Sequence, residues 1–143
     1  AHPVRASGYG GRAVRTDIGD IMDNLAVTFT FADGTVFSYS ANQFSTGGFA
    51  DISETFICEK GAVNVSRRGY KLYNKTERNA LPEEVATDYD ITRDAVNEFV
   101  EGARTGKIEN AAFSAAESTL TAIMAREAIY SGKEMTWDRT ANA

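Results

Sequence analysis

Few side chains in this sequence could carry proton or covalent chemistry, and their types set limits at once. There is one histidine, His2, and one cysteine, Cys58. A Ser-His-Asp triad needs a histidine between nucleophile and carboxylate, and here only a residue at the start of the chain could serve. A lone thiol excludes an internal disulfide framework and a cysteine-rich zinc site. At the end of an alternating run, Cys58 reads as a small buried or turn-adjacent residue rather than a nucleophile. Asp17, Asp20 and Asp23 recur every three residues. A hard-metal loop wants oxygens two apart around a glycine turn, so the triplet reads as a solvated, helix-like turn. Glu54 and Glu117 have the chemistry of a general acid and base, but no spacing brings them together. Gly8-Tyr9-Gly10-Gly11 lacks the G-x-G-x-x-G register and the strand-before, helix-after setting of a phosphate loop. It reads as backbone that needs close approach or positive φ. Residue types alone thus give no catalytic residue and no metal site.

The elements that would position such groups divide into a strand-rich front and a helix-rich back. Residues 25–31 alternate, with Leu25, Val27, Phe29 and Phe31 on one side and Ala26, Thr28 and Thr30 on the other, which predicts a half-buried strand. Asp33-Gly34 then separates it from a second alternating run over 35–41, a strong hairpin signal. Phe37 and Tyr39 share one face of that run, and Val36, Ser38 and Ser40 the other. Ser45-Thr46-Gly47-Gly48 reads as a loop. Further short strands are expected over 52–58, 62–66 and 70–74, with turns at Glu59-Lys60-Gly61 and Arg67-Arg68-Gly69, together an antiparallel meander. Residues 75–89, with Pro82 and no period, read as a loop.

From Ile91 the period changes. Ile91, Ala95, Phe99 and Ala103 recur every four residues, with Val96 and Val100 beside them, predicting an amphipathic helix capped by Asp90 and ended by Gly106. A second helix is expected to open at Ser114, where Ser-Ala-Ala-Glu forms a capping box with Glu117. Ala116, Leu120, Ile123, Met124 and Ala128 would be its buried stripe and Gly132 its end. Met135-Thr136-Trp137 reads as a short closing strand. Strands first and helices after predict an α+β fold, a mainly antiparallel open sheet with helices packed on one face.

Composition agrees with one folded domain over residues 1–143: 43% hydrophobic, 24% charged, with a formal charge of −5. That balance argues against a nucleic-acid partner, since Arg67-Arg68 is the only tight basic pair. The longest apolar run, Ala122 to Ala125, is far too short to span a bilayer, so no membrane partner is expected. A lone thiol fits a reducing compartment, which favours the cytoplasm. The two N-x-[ST] sequons, Asn64-Val65-Ser66 and Asn74-Lys75-Thr76, are incidental. Ala1-His2-Pro3 has no initiator Met and no signal peptide, and reads as cut from a longer polypeptide.

A more specific signal lies in the order of several short motifs. The stretch from Glu117 to Asp138, with its Ser-containing helix, Gly132 and Thr136-Trp137-Asp138, resembles the end of Gfo/Idh/MocA-type oxidoreductases. Phe99 to Asn110, with Arg104-Thr105-Gly106-Lys107, is similar to the preceding helix and turn of that family. Pro3-Val4-Arg5 with Gly10-Gly11-Arg12, Asp23, the Asp33-Gly34 hairpin, and Ser53-Glu54 with Gly61 resemble one branch of it. The likeness covers most of the chain and weakens from about Tyr70 to Thr87. Cys58 and Ala125 depart from it, standing where many relatives carry glycine.

The resemblance implies the C-terminal, substrate-binding and oligomerisation domain of an NAD(P)-dependent sugar- or cyclitol-type dehydrogenase. The family's Rossmann domain, its catalytic lysine and its catalytic histidine would lie outside this chain, and His2 does not match the histidine motif. No cofactor is then expected to bind this chain, although NAD(P) is implied for the complete enzyme. The expected partners are a second copy through one sheet face and a small polyol or sugar in the full-length enzyme. The polar anchors expected at the substrate are Arg12, whose fork suits a carboxylate or adjacent hydroxyls, Gln43, which donates and accepts, and Tyr9 between glycines. A stand-alone carbohydrate-binding or dimerisation module is the alternative.

Overall fold

The computed structural model describes residues 1–44, 51–74, 81–87 and 90–141. In chain order the elements are β1 (Arg5–Gly11), β2 (Asn24–Thr30), β3 (Val36–Asn42), β4 (Ser53–Cys58), β5 (Gly61–Ser66), β6 (Gly69–Asn74) and β7 (Glu83–Ala86). The helices α1 (Ile91–Thr105) and α2 (Ala112–Ser131) follow, then β8 (Met135–Thr136) and α3 (Trp137–Ala141). The fold is α+β with antiparallel pairing throughout, as the strand and helix periods predict. Among the described residues it holds two four-stranded sheets where one was expected. Each belongs to its own compact unit, one built from residues 1–46 with 110–143 and the other from 47–109.

The first unit orders its strands β3-β2-β1-β8. Its hairpin turns where the sequence predicts, at Asp33-Gly34. Gly34 takes φ 87°, and the Asp33 carboxylate accepts from the Thr35 N–H at 2.9 Å. The register aligns Ala6 with Phe29, Gly8 with Val27 and Gly10 with Leu25, and then Phe29 with Phe37 and Val27 with Tyr39. That side of the sheet meets α2. Ala6, Val27, Phe29, Met124, Ala128, Ile129 and Met135 make the buried core, with Met22, Leu25, Phe31, Ala125 and Trp137 packed against it.

β1 escaped the sequence reading because its residues, Arg-Ala-Ser-Gly-Tyr-Gly-Gly, are poor strand formers. Tertiary packing selects them. A Cβ on Gly10 would meet Met22 Sδ at 2.6 Å and Ile129 Cγ2 at 2.9 Å, and one on Gly8 would meet the Ala26 carbonyl oxygen at 2.5 Å. The glycines provide close approach, as expected, without positive φ.

The second unit is the meander β4-β5-β6-β7. The loop expected over 75–89 contains the edge strand β7, whose Glu-Glu-Val-Ala sequence shows little strand character and forms by pairing with β6. The rest of that stretch, at 75–80 and 88–89, and the Ser45-Thr46-Gly47-Gly48 loop lie outside the described residues. Helix α1 has its expected ends. Asp90 accepts from the Thr92 and Arg93 N–H groups at 3.1 Å, and Gly106 closes the helix at φ 70°. None of its residues is buried.

Helix α2 departs at its start. It begins at Ala112, three residues earlier than the capping box requires, and Ala111 provides no side-chain cap. The Asn110 carbonyl oxygen of the side chain accepts from the Ala112 N–H instead. Ser114, now inside the first turn, donates to the Ala111 carbonyl, and Glu117 is free to reach elsewhere. Of its expected stripe, Met124 and Ala128 are buried, Ile129 joins them, and Ala116 is exposed. Gly132 ends it at φ 64°. Trp137 leaves the closing strand to open α3. Among the described residues no helix is long and apolar enough to cross a membrane.

The glycine spacing of β1 gives a direct test. Gly10→Ala should cost about 1–3 kcal/mol through overpacking against Met22 and Ile129. Gly11→Ala, whose Cβ would find its nearest neighbour at 3.4 Å, should leave stability within about 0.5 kcal/mol. Urea denaturation of the two variants measures both.

Candidate functional site

The face of the first sheet turned away from α2 is built of small polar residues. Register places Ser7, Thr28 and Ser38 in one cross-strand row and Tyr9, Ala26 and Ser40 in the next. Together they line a shallow trough of about 450 Å³. Tyr9 stands over it, 77% exposed. Hydroxyls both donate and accept, so this surface can recognise another surface or a molecule rich in hydroxyls. Its lining contains no titratable acid–base pair.

Below the trough, at the end of the sheet where β1 leaves and β2 enters, the chain is organised by Asp23. This aspartate is only 2% exposed, against the solvated turn expected for it. Its carboxylate accepts from the backbone N–H groups of Ala13, Val14 and Arg15 at 2.8–3.1 Å and from Asn24 Nδ2 at 2.8 Å. Those donors favour the charged form. The N–H groups of Ala13 and Arg15 are the largest influences holding the carboxyl well below the usual carboxylate range. Asp17 and Asp20 remain exposed. No group of three acidic, histidine or cysteine side chains suited to a metal occurs among the described residues.

Asp23 also brings two of the expected anchors to one place. Its N–H donates to the Gly11 carbonyl at 2.9 Å, and its carbonyl accepts from the Gln43 N–H at 2.8 Å. Arg12 and Gln43 therefore flank it on neighbouring chain segments. Arg12 donates from Nε to the Arg15 carbonyl and from Nη2 to the Ile18 carbonyl at 2.9 Å, so its guanidinium helps hold the loop that Asp23 folds. Gln43 is exposed. Tyr9 lies apart from this pair, on the trough.

Sequence reasoning did not find two further features. His2 Nδ1 lies 3.0 Å from Glu117 Oε1, and its ring stacks on Trp137 with centroids 3.9 Å apart. This pins the segment before β1 to α2 and α3, and the hydrogen bond from His2 is the first cause lowering the Glu117 pKa. The potential partners were legible by type, but 115 positions separate them. The second feature is an apolar groove of about 420 Å³ between α2 and strands β2 and β3, bordered by Leu25, Phe29, Phe37, Tyr39, Ala122 and Ile129. It exists because α2 packs mainly over β1 and leaves the β3 side of the sheet open.

Gly8-Tyr9-Gly10-Gly11 does not form a dinucleotide cradle. Gly8, Gly10 and Gly11 lie inside β1, whose residues pair along their whole length with β2, and a loop rather than a helix follows. A pyrophosphate site needs free backbone N–H groups at a helix N-terminus.

No family model matches the sequence, and no curated protein matches it significantly. Solved structures do match the fold. A candidate oxidoreductase from Thermotoga maritima superposes with a TM-score of 0.69 at 15% identity, over 94% of this chain and 40% of that one. A candidate oxidoreductase from Klebsiella pneumoniae gives a TM-score of 0.66 at 17% identity, over 94% of this chain and 43% of that one. The chain thus spans about two fifths of each, and the likeness shows a shared α+β fold.

Asp23 sets a pH dependence. Its folded pKa is depressed, so its contribution is fully present above its ordinary value near 3.8 and is lost as pH falls from there through the lower, folded pKa. Asp23→Asn should lower the Tm at neutral pH and flatten the acid limb of the stability curve. Thermal melts between pH 7 and 2 test this, and parallel Tm–pH curves for both proteins would refute it.

Proposed function

We propose that this chain is the substrate-binding and oligomerisation domain of an NAD(P)-dependent dehydrogenase acting on a sugar or cyclitol. In that reading, the nucleotide site and the catalytic lysine and histidine come from a part of the enzyme outside this chain. The observation that supports it best is the coverage. Nearly the whole chain takes a fold that recurs inside two candidate oxidoreductases, where it fills 40% and 43% of the length. The sequence resemblance to the closing domain of Gfo/Idh/MocA-type enzymes points the same way.

The chain's own groups fit this division. Ser7, Thr28, Ser38 and Tyr9 offer paired donors and acceptors on one wall, the geometry that a ring of hydroxyls needs. Gln43 and the remaining donors of Arg12 stand at the end of the same sheet, able to orient a polyol without taking its protons. Recognition is their role, and the redox step belongs to the nucleotide when the complete enzyme binds it. A second copy, joined through one sheet face, is the partner in this reading.

Three measurements test the parts separately. Isothermal titration of this chain with NADH and NADPH should show no micromolar binding, and a micromolar Kd would refute the division between domains. In the complete enzyme, Gln43→Ala should lower kcat/KM for the sugar roughly 2- to 10-fold, the loss of one neutral hydrogen bond, with the Tm unchanged. Arg12→Ala should lower kcat/KM as well and also loosen the loop at Arg15 and Ile18, seen as faster amide exchange there. Unchanged kinetics in both variants would remove these residues from the substrate site. Light scattering at tens of micromolar should report a dimer of this chain, as an isologous contact predicts.

A further inference from the structure

His2 is the only histidine of the chain and Trp137 its only tryptophan, and the fold lays one ring on the other. Their centroids are 3.9 Å apart and their planes 14° from parallel. From the same imidazole, Nδ1 lies 3.0 Å from Glu117 Oε1. The His2 and Glu117 side chains are both partly withdrawn from water, at 37% and 25% exposure. The residues that follow His2 are seated deeper. Pro3 is fully buried, and Val4 is bonded on two sides. Its N–H donates to the Thr30 carbonyl at 2.8 Å, and its carbonyl accepts from the Trp137 N–H at 3.1 Å. His2 is thus the outer fastening of the segment that leads into β1, joining it to α2 through Glu117 and to α3 through Trp137.

We propose that this fastening is a pH-sensitive clasp, tight when the His2 imidazole is protonated and looser when it is neutral. Imidazole is the side chain whose ordinary charge change falls between about pH 5 and 8. Both of its contacts favour the cation. The carboxylate turns a neutral hydrogen bond into a charge-assisted one, and the face of an indole attracts a cation within about 6 Å of its centroid. Glu117 stays a carboxylate through this window, because the hydrogen bond from His2 holds its pKa below the ordinary 4.5. Toward the acid end of the window, ring and carboxylate form an ion pair beside the indole. As pH rises the charge leaves, and a neutral ring keeps one hydrogen bond and the stack. Arg5, at the start of β1, and Asp138, beside Trp137 on α3, are exposed, and neither residue type ordinarily changes charge in this range. The α-amino group of Ala1 lies 3.9 Å from Glu117 Oε2 and competes for the same carboxylate, and α-amino groups also titrate in this range.

Amide exchange of the full chain reads the clasp at the Trp137 N–H, which the Val4 carbonyl holds. With the intrinsic pH dependence of exchange divided out, protection there should fall roughly 1.5- to 5-fold across the window, the range of a partly exposed ion pair. His2→Phe keeps a ring on the indole without a titratable group and should abolish the transition. Glu117→Gln keeps an acceptor without the charge and should shrink it. A transition retained in full in His2→Phe belongs to the Ala1 amino group and overturns the clasp, and one retained in full in Glu117→Gln overturns it as well. If either variant does not fold, the wild type decides alone. An imidazolium stacked on an indole quenches its emission, so the fluorescence of Trp137 should rise with pH through the same midpoint as the exchange. Protection that is flat across the window, or emission and exchange with different midpoints, overturns the proposal.

Discussion

The contact between α2 and the glycine side of β1 is the constraint on which the first unit depends. Gly10 lets α2 sit this close, since a Cβ there would meet Ile129 Cγ2 at 2.9 Å, and Met124 and Ala128 on the same helix are fully buried. Ala6 continues the small-residue row at the other end of the strand. With the helix seated this close, Val27 and Phe29 on the neighbouring strand are covered as well, while Phe37 and Tyr39 one strand further out remain 45% and 47% exposed. A single helix about 10 Å across cannot cover a four-stranded sheet. The apolar groove beside α2 follows from that mismatch.

The same seating fixes the polar surface. Alternation along a strand is strict, so once Ala6, Gly8 and Gly10 face the helix, Ser7 and Tyr9 must face away. The pairing then brings Thr28, Ser38 and Ser40 alongside them. The hydroxyl trough is thus the obligatory reverse of the core. A one-residue slip of β1 would exchange the two faces and bury Tyr9 where Gly10 now lies, and the Asp23 network opposes such a slip. By gathering three N–H groups of the departing loop, it fixes where β1 stops and β2 starts.

Most of this architecture was legible in the sequence wherever one signal dominated locally. The Asp33-Gly34 hairpin, the faces of Phe37 and Ser38, and both ends of α1 follow from turn chemistry and period. The failures share a cause. β1 and β7 have weak intrinsic preference and are held by neighbouring strands. Ser114 and Glu117 satisfy the spacing of a capping box, yet His2, remote in sequence, engages the Glu117 carboxylate. Asp23 looked like one of three equivalent acids, because which one is buried depends on the loop closing over it. Arg12 and Gln43 were chosen by residue type, and the fold does bring them to either side of Asp23. The partners of the Arg12 guanidinium, two backbone carbonyls, could not be read from type or spacing.

The distribution of charge in the first unit indicates what kind of work its surface can do. The carboxylate of Asp23 is saturated by four donors, Arg12 is engaged by the loop it helps to close, and Glu117 is held by His2. Each is committed to shape, and Asp23 and Glu117, both held toward the charged form, are poorly placed to exchange a proton near neutral pH. The trough itself turns mainly hydroxyls toward solvent, from Ser7, Tyr9, Thr28, Ser38 and Ser40, groups that gain by pairing with similar groups. Such a surface discriminates by the geometry of its donors and acceptors, since a ligand lacking a matching hydroxyl leaves a desolvated polar atom unpaired. The rigidity imposed by the α2 contact is what would keep such a hydroxyl array in register.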